Sequence, residues 1–160
     1  MKARFVTKAA LSALALAFAG TLPGVAQQTA APAVDSVKAS AVEKVFIVKM
    51  ADIVQAGLKA GALDVKAVSG VLNEAVKADV SDRVMGAMVS MAAGAFPSSA
   101  PAVASAAVRS YGSNIREGHV RNVIASAVSS QSNPYASVAP ISEAVEKVLG
   151  NSPVAAAVSS

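Results

Sequence analysis

Asp64-Val65-Lys66-Ala67-Val68-Ser69-Gly70-Val71-Leu72-Asn73-Glu74-Ala75-Val76-Lys77 opens on a helix-capping side chain and continues with apolar residues at helical spacing. Val68, Val71, Leu72, Ala75 and Val76 fall on one stripe of a period near 3.6 residues. Asp64 can accept hydrogen bonds from the first-turn N–H groups, which have no partner inside the helix. A second stripe follows at Ala100, Val103, Ala104, Ala107, Val108 and Tyr111. The expected class is all-α.

Four short matches suggest a repeating unit: Ala41-Val42-Glu43-Lys44-Val45, Ala75-Val76-Lys77, Ala107-Val108-Arg109 and Ala144-Val145-Glu146-Lys147-Val148. Their steps of 34, 32 and 37 residues suit helical-hairpin repeats. The last three follow a helix-start signal by ten or eleven residues: Asp64, then Phe96-Pro97, then Asn133-Pro134. Proline in the first helical position gives up an N–H that the helix does not use. Second helices are predicted between these, over Arg83 to Ala95 after a break at Asp79–Ser81. Another is expected over Ile115 to Val128, with Asn114 and Glu117 as a capping box. The first copy lacks a breaker, so Asp35 to about Gly57 reads as one long helix. A short extended piece at Phe46-Ile47-Val48 is its alternative. Gly150 reads as a C-cap, and Ser152-Pro153 begins a stub like half of another unit. Glu143 and Lys147, four apart with Glu first, read as a solvated face.

The amino terminus reads as an export signal: a basic opening from Met1 to Lys8, an apolar run from Ala9 to Gly20, and the small-residue site Gly24-Val25-Ala26. The expected organisation is a signal peptide over 1–26, a flexible leader over 27–34, a helical-repeat domain over 35–150 and a stub over 151–160. Cleavage after Ala26 removes Lys2, Arg4 and Lys8 from 14 basic residues, leaving eleven against ten acidic, a net of +1. The remaining basic residues are scattered singly, so no nucleic-acid partner is expected. Nor is membrane contact expected after cleavage. With no cysteine, there is no disulfide and no lipid-modified cysteine. Alanine and valine dominate, so the core depends on close helix approach, toward 8 Å between axes, rather than on large side chains.

Two small-residue ridges fit that expectation: Gly57 with Gly61, and Gly86 with Ser90 and Gly94. The other side of the second helix carries Met85, Met88 and Met91. Thioether sulfur suits Cu(I), but Met85 and Met91 diverge by roughly 120° around a helix, so core filling is the simpler reading. His119 is the single histidine and reads as a partly exposed polar residue. No zinc set, Gly-x-Ser-x-Gly turn or phosphate cradle is present in the sequence. The pairs Asp79/Asp82 and Glu143/Glu146 sit where they complement helix ends. A cavity joining Glu74, His119 and Tyr111 would be needed for acid–base chemistry.

The expectation is a small helical bundle, or short solenoid of stacked α-hairpins, with about five or six helices. No catalytic residue and no cofactor are assigned. The chain is expected to be an exported, periplasmic or extracellular bacterial protein. Its expected role is non-enzymatic, structural or interactive, in the cell envelope, with a protein partner or self-association. A groove lined by Tyr111 and Tyr135 would serve it. The alternative is a periplasmic small-ligand or Cu(I)-binding protein using the Met85/Met88/Met91 region. Membrane activity of an amphipathic helix is a third class.

Overall fold

A computed structural model describes residues 39–150 together with Ser152, Val154 and Ala155. The export signal, the leader and most of the C-terminal stub lie outside the described residues. Among the described residues the chain is all-helical, with six α-helices: α1 (Ala41–Ala60), α2 (Val65–Lys77), α3 (Asp82–Ala95), α4 (Ala100–Ser110), α5 (Glu117–Ser129) and α6 (Pro134–Leu149). Short 3₁₀ turns, Pro97–Ser99 and Gly112–Asn114, precede α4 and α5.

The local chemistry explains the helix boundaries. Asp64 Oδ1 accepts from the N–H groups of Lys66 and Ala67, both at 3.0 Å, and starts α2 as expected. Asn133 accepts from Ala136 N–H at 3.2 Å, with Pro134 in the first turn of α6. The Gly150 N–H closes α6 on the Glu146 carbonyl at 2.9 Å. Helix α2 ends with Asp79 left-handed at φ 55°, the Asp79 N–H on the Val76 carbonyl and the Val80 N–H on the Ala75 carbonyl. That is the glycine-type helix end with aspartate in glycine's place, so Asp79 closes one helix just before Asp82 opens the next.

Three boundaries differ from expectation. Helix α1 begins at Ala41, not Asp35, because Ser40 and Glu43 form a reciprocal capping box that fixes the first turn. It continues to Ala60, so Phe46-Ile47-Val48 is helical and no extended piece forms there. The expected Asn114/Glu117 box is absent: Asn114 ends a 3₁₀ turn and Ile115 is extended. Arg116 caps α5 instead, its N–H donated to His119 Nδ1 at 3.2 Å.

Packing follows two rows. Helices α1, α3 and α5 contact one another in series, as do α2, α4 and α6; the pairs α1/α2, α3/α4 and α5/α6 join the rows, and α4 also meets α5. One apolar core runs through the bundle. Helix α4, touching α2, α3, α5 and α6, is buried along most of its length from Ala100 to Val108. Its alanine- and valine-rich sequence fits that position, because small side chains let several neighbours approach at once. Ser105 Oγ reaches across to donate to the Ala144 carbonyl of α6 at 3.0 Å.

The repeat marks divide along these rows. Ala75, Ala107 and Ala144 sit in α2, α4 and α6, one row, whereas Ala41 opens α1 in the other. The two identical pentapeptides therefore have different surroundings: Val145 is fully buried, but its counterpart Val42 is exposed. Glu43 crosses to the start of α3, where its carboxylate accepts from the Ser81 N–H at 3.1 Å and from the Ser81 hydroxyl.

The Ser81 hydroxyl, then the Ser40 and Ser81 N–H groups, lower the Glu43 pKa from 4.5 to about 2. A depressed folded-state value means this contribution is complete above pH 4.5 and is lost as pH falls toward 2. The expected result is that Glu43→Gln flattens the acid limb of the stability profile in that window. Denaturant titrations of both proteins at stepped pH measure it.

Candidate functional site

The sole histidine lies where three helices meet. Its ring stacks on Tyr111 with centroids 4.1 Å apart and planes 11° from parallel. The Tyr111 hydroxyl, at the end of α4, donates to Asp82 Oδ1 on α3 at 3.2 Å. Since His119 Nδ1 accepts the Arg116 N–H, the neutral ring carries its proton on Nε2, which faces Asp82 Oδ1 at 3.6 Å. Asn122 of α5 adds a donor to the Asp82 carbonyl at 2.6 Å.

Both His119 nitrogens are thus directed within the chain, and the His119 side chain is 18% exposed, the partly exposed polar residue expected from its sequence context. Burial first, and the Asp82 charge second, raise the Tyr111 pKa, so its hydroxyl stays protonated as a donor. Glu74, the third member of the constellation considered from sequence, lies elsewhere: it pairs with Lys49 at 2.7 Å, bridging α2 to α1. The Lys49 hydrogen bond and charge lower its pKa. The arrangement Asp82–Tyr111–His119 is a latch across α3, α4 and α5. Tyr111→Phe should cost about 1 kcal/mol by removing the hydroxyl bond while leaving the stacked ring; urea unfolding measures it. A loss under about 0.3 kcal/mol would mean that solvent serves Asp82 equally well.

The methionines lie in the core. Met85 and Met88 have no exposed surface and Met91 is partly buried, packed against the same cluster. No group of three or more His, Asp or Glu residues suited to a metal ion occurs among the described residues.

The opposite side of α3 meets α5 through the expected small-residue ridge. Gly86, Ser90 and Gly94 face Asn122, Ser126 and Ser130, themselves four apart. Ser90 Oγ donates to the Ser126 carbonyl at 2.9 Å, and the buried Gln131 amide donates to the Ala93 carbonyl at 3.1 Å. The first ridge divides differently. A Cβ on Gly57 would lie 2.9 Å from the Phe96 ring, but Gly61 is a left-handed helix cap at φ 78° with nothing within 4 Å of its Cβ position.

The surface differs from the expected aromatic groove. Tyr111 is 7% exposed and turned into the latch, whereas Tyr135 in the first turn of α6 is 92% exposed, so the two do not line one surface. The larger exposed apolar group is on α1, where Val42, Val45 and Val48 are 56%, 52% and 59% exposed. Among the described residues, no helix is long and apolar enough to cross a membrane. Comparison with protein-family models, curated proteins and solved structures finds no match.

Proposed function

We propose that this chain is an exported, non-enzymatic helical protein that works by protein–protein contact in the cell envelope. The observation that carries the reading is the row of exposed valines on α1. Monomeric surfaces scatter apolar residues singly, whereas a contiguous group on one helix suits a contact. The two-row stack supports it as a scaffold of hairpin repeats, in which each helix pair rests on the next and terminal helices offer their outer faces. The polar cluster supports the non-enzymatic part: its imidazole caps a helix, and its phenol is kept protonated beside a carboxylate. The export part rests on the basic, apolar and small-residue order of residues 1–26.

The test places a photoreactive side chain at Val45, and separately at Ser129 on α5, in the protein made by living cells. Adducts in the envelope or medium fraction from Val45 and few from Ser129 are expected. A chain confined to the cytosol, or no adduct from Val45, overturns the reading.

A further inference from the structure

We propose that the outer face of α1 pairs with the same face of a second copy, giving a two-fold dimer of antiparallel α1 helices. This rests on the contact reading above and names its partner. Ala41, Val45, Val48, Lys49, Asp52 and Ala56 are all exposed. At 100° per residue they lie within about 100° of one another, forming one strip along the helix. The strip is apolar in its first half, carries Lys49 and Asp52 near its middle, is small at Ala56, and ends at the exposed Lys59.

That order is self-complementary. Antiparallel pairing centred between Met50 and Ala51 sets Lys49 of each copy opposite Asp52 of the other. It sets Val45 opposite Ala56, and Ala41 opposite Ala60. The two central charges are then matched twice by one symmetry operation, as a surface that meets itself requires, while Lys59 falls at the end of the strip opposite Val42. Alanine is one or both members of the outer pairs Val45/Ala56 and Ala41/Ala60, which lets the helices approach closely there. Asp52 has no ion-pair partner among the described residues. Lys49 already holds Glu74, but an ammonium has three donors and can serve a second carboxylate. An unrelated partner would need no such relation between the two charges of one strip.

A helix of this length spans about 30 Å, and pairing one face buries on the order of 1,000 Å² in total, just below the range of stable complexes. The dimer is therefore weak and concentration-dependent. The test is sedimentation equilibrium of the protein purified after expression of the full 160-residue sequence, over a wide concentration range.

The wild type should rise from the mass of one chain to that of two and stop there. Asp52→Lys places lysine opposite lysine twice and should weaken association by about tenfold or more. The exchange Lys49→Asp/Asp52→Lys should restore it, and Val45→Glu should abolish it. Circular dichroism confirms that each variant remains helical. A wild type that stays monomeric at every concentration overturns the proposal, as does growth beyond two chains. Dimerisation of Asp52→Lys as strong as that of the wild type does so too. If the purified chain is monomeric while Val45 still forms adducts with another protein in cells, the dimer falls and the contact reading stands.

Discussion

Gly86→Val is expected to lower the stability of the folded chain by about 2–3 kcal/mol, chiefly by forcing α3 away from α5. A single Cβ at this position would already lie 2.7 Å from Ser126 Oγ and 3.1 Å from Asn122 Oδ1. The serine can turn aside, but Asn122 is anchored by its bond to the Asp82 carbonyl. Valine's two methyl groups add to the clash, and its better helix propensity returns only about half a kcal/mol. Denaturant unfolding measures the loss. Gly70→Ala makes the contrast: nothing lies within 4 Å of its Cβ position, so alanine there should stabilise α2 by about 0.5–1 kcal/mol. The Gly86→Ala/Ser126→Ala pair should recover little of what Gly86→Ala alone loses, because Asn122 stays in place. Equal effects at Gly86 and Gly70 would show that the α3–α5 seam has slack.

The same seam shows what a linear reading can reach. Four-residue spacing of Gly86, Ser90 and Gly94 announced a close approach, because small residues on one side of a helix have one simple use. It did not name the opposing helix. Asn122, Ser126 and Ser130 repeat the spacing on α5, a signal available in the sequence and weaker only because serine is common throughout it. Helix starts were legible where a single residue decides them, as at Asp64 and Asn133. They were misplaced where the deciding contact is unusual. No propensity scale favours a histidine side chain as the acceptor that starts α5, yet His119 does this while it stacks on Tyr111.

Repetition in sequence proved a partial guide to equivalence in space. The pentapeptide at 41–45 opens the first helix and that at 144–148 ends the last, and the same valine is exposed as Val42 and buried as Val145. Burial depends on which neighbours the chain has already placed, and that information is non-local. Tyr111 and Tyr135 differ for the same reason: one lies at the end of the most enclosed helix, the other in the first turn of the last. The valines of α1 could have been suspected. Val42, Val45 and Val48 lie three apart, and Phe46, Ile47, Met50 and Val54 already supply an inward stripe, leaving more apolar residues than one face needs.

Met88→Ala should cost about 2–5 kcal/mol, whereas Met88→Leu should cost less than about 1.5 kcal/mol. The argument is one of volume against sulfur. Met88 is fully enclosed, so alanine leaves a void that a core of small, β-branched side chains is poorly shaped to fill. Leucine keeps the volume and loses only the thioether. A residue retained to fill space tolerates the second change and not the first, and a residue retained to bind a soft cation tolerates neither in a binding assay. Thermal unfolding of the wild type and both variants, each with and without Cu(I), separates the cases. The packing role predicts a melting point that falls sharply for alanine, little for leucine, and does not respond to copper in any of the three. A copper-dependent rise in the wild type that vanishes in Met88→Leu would return the sulfur to a ligand's role. A loss below about 1 kcal/mol for alanine would mean that this part of the core closes over the gap.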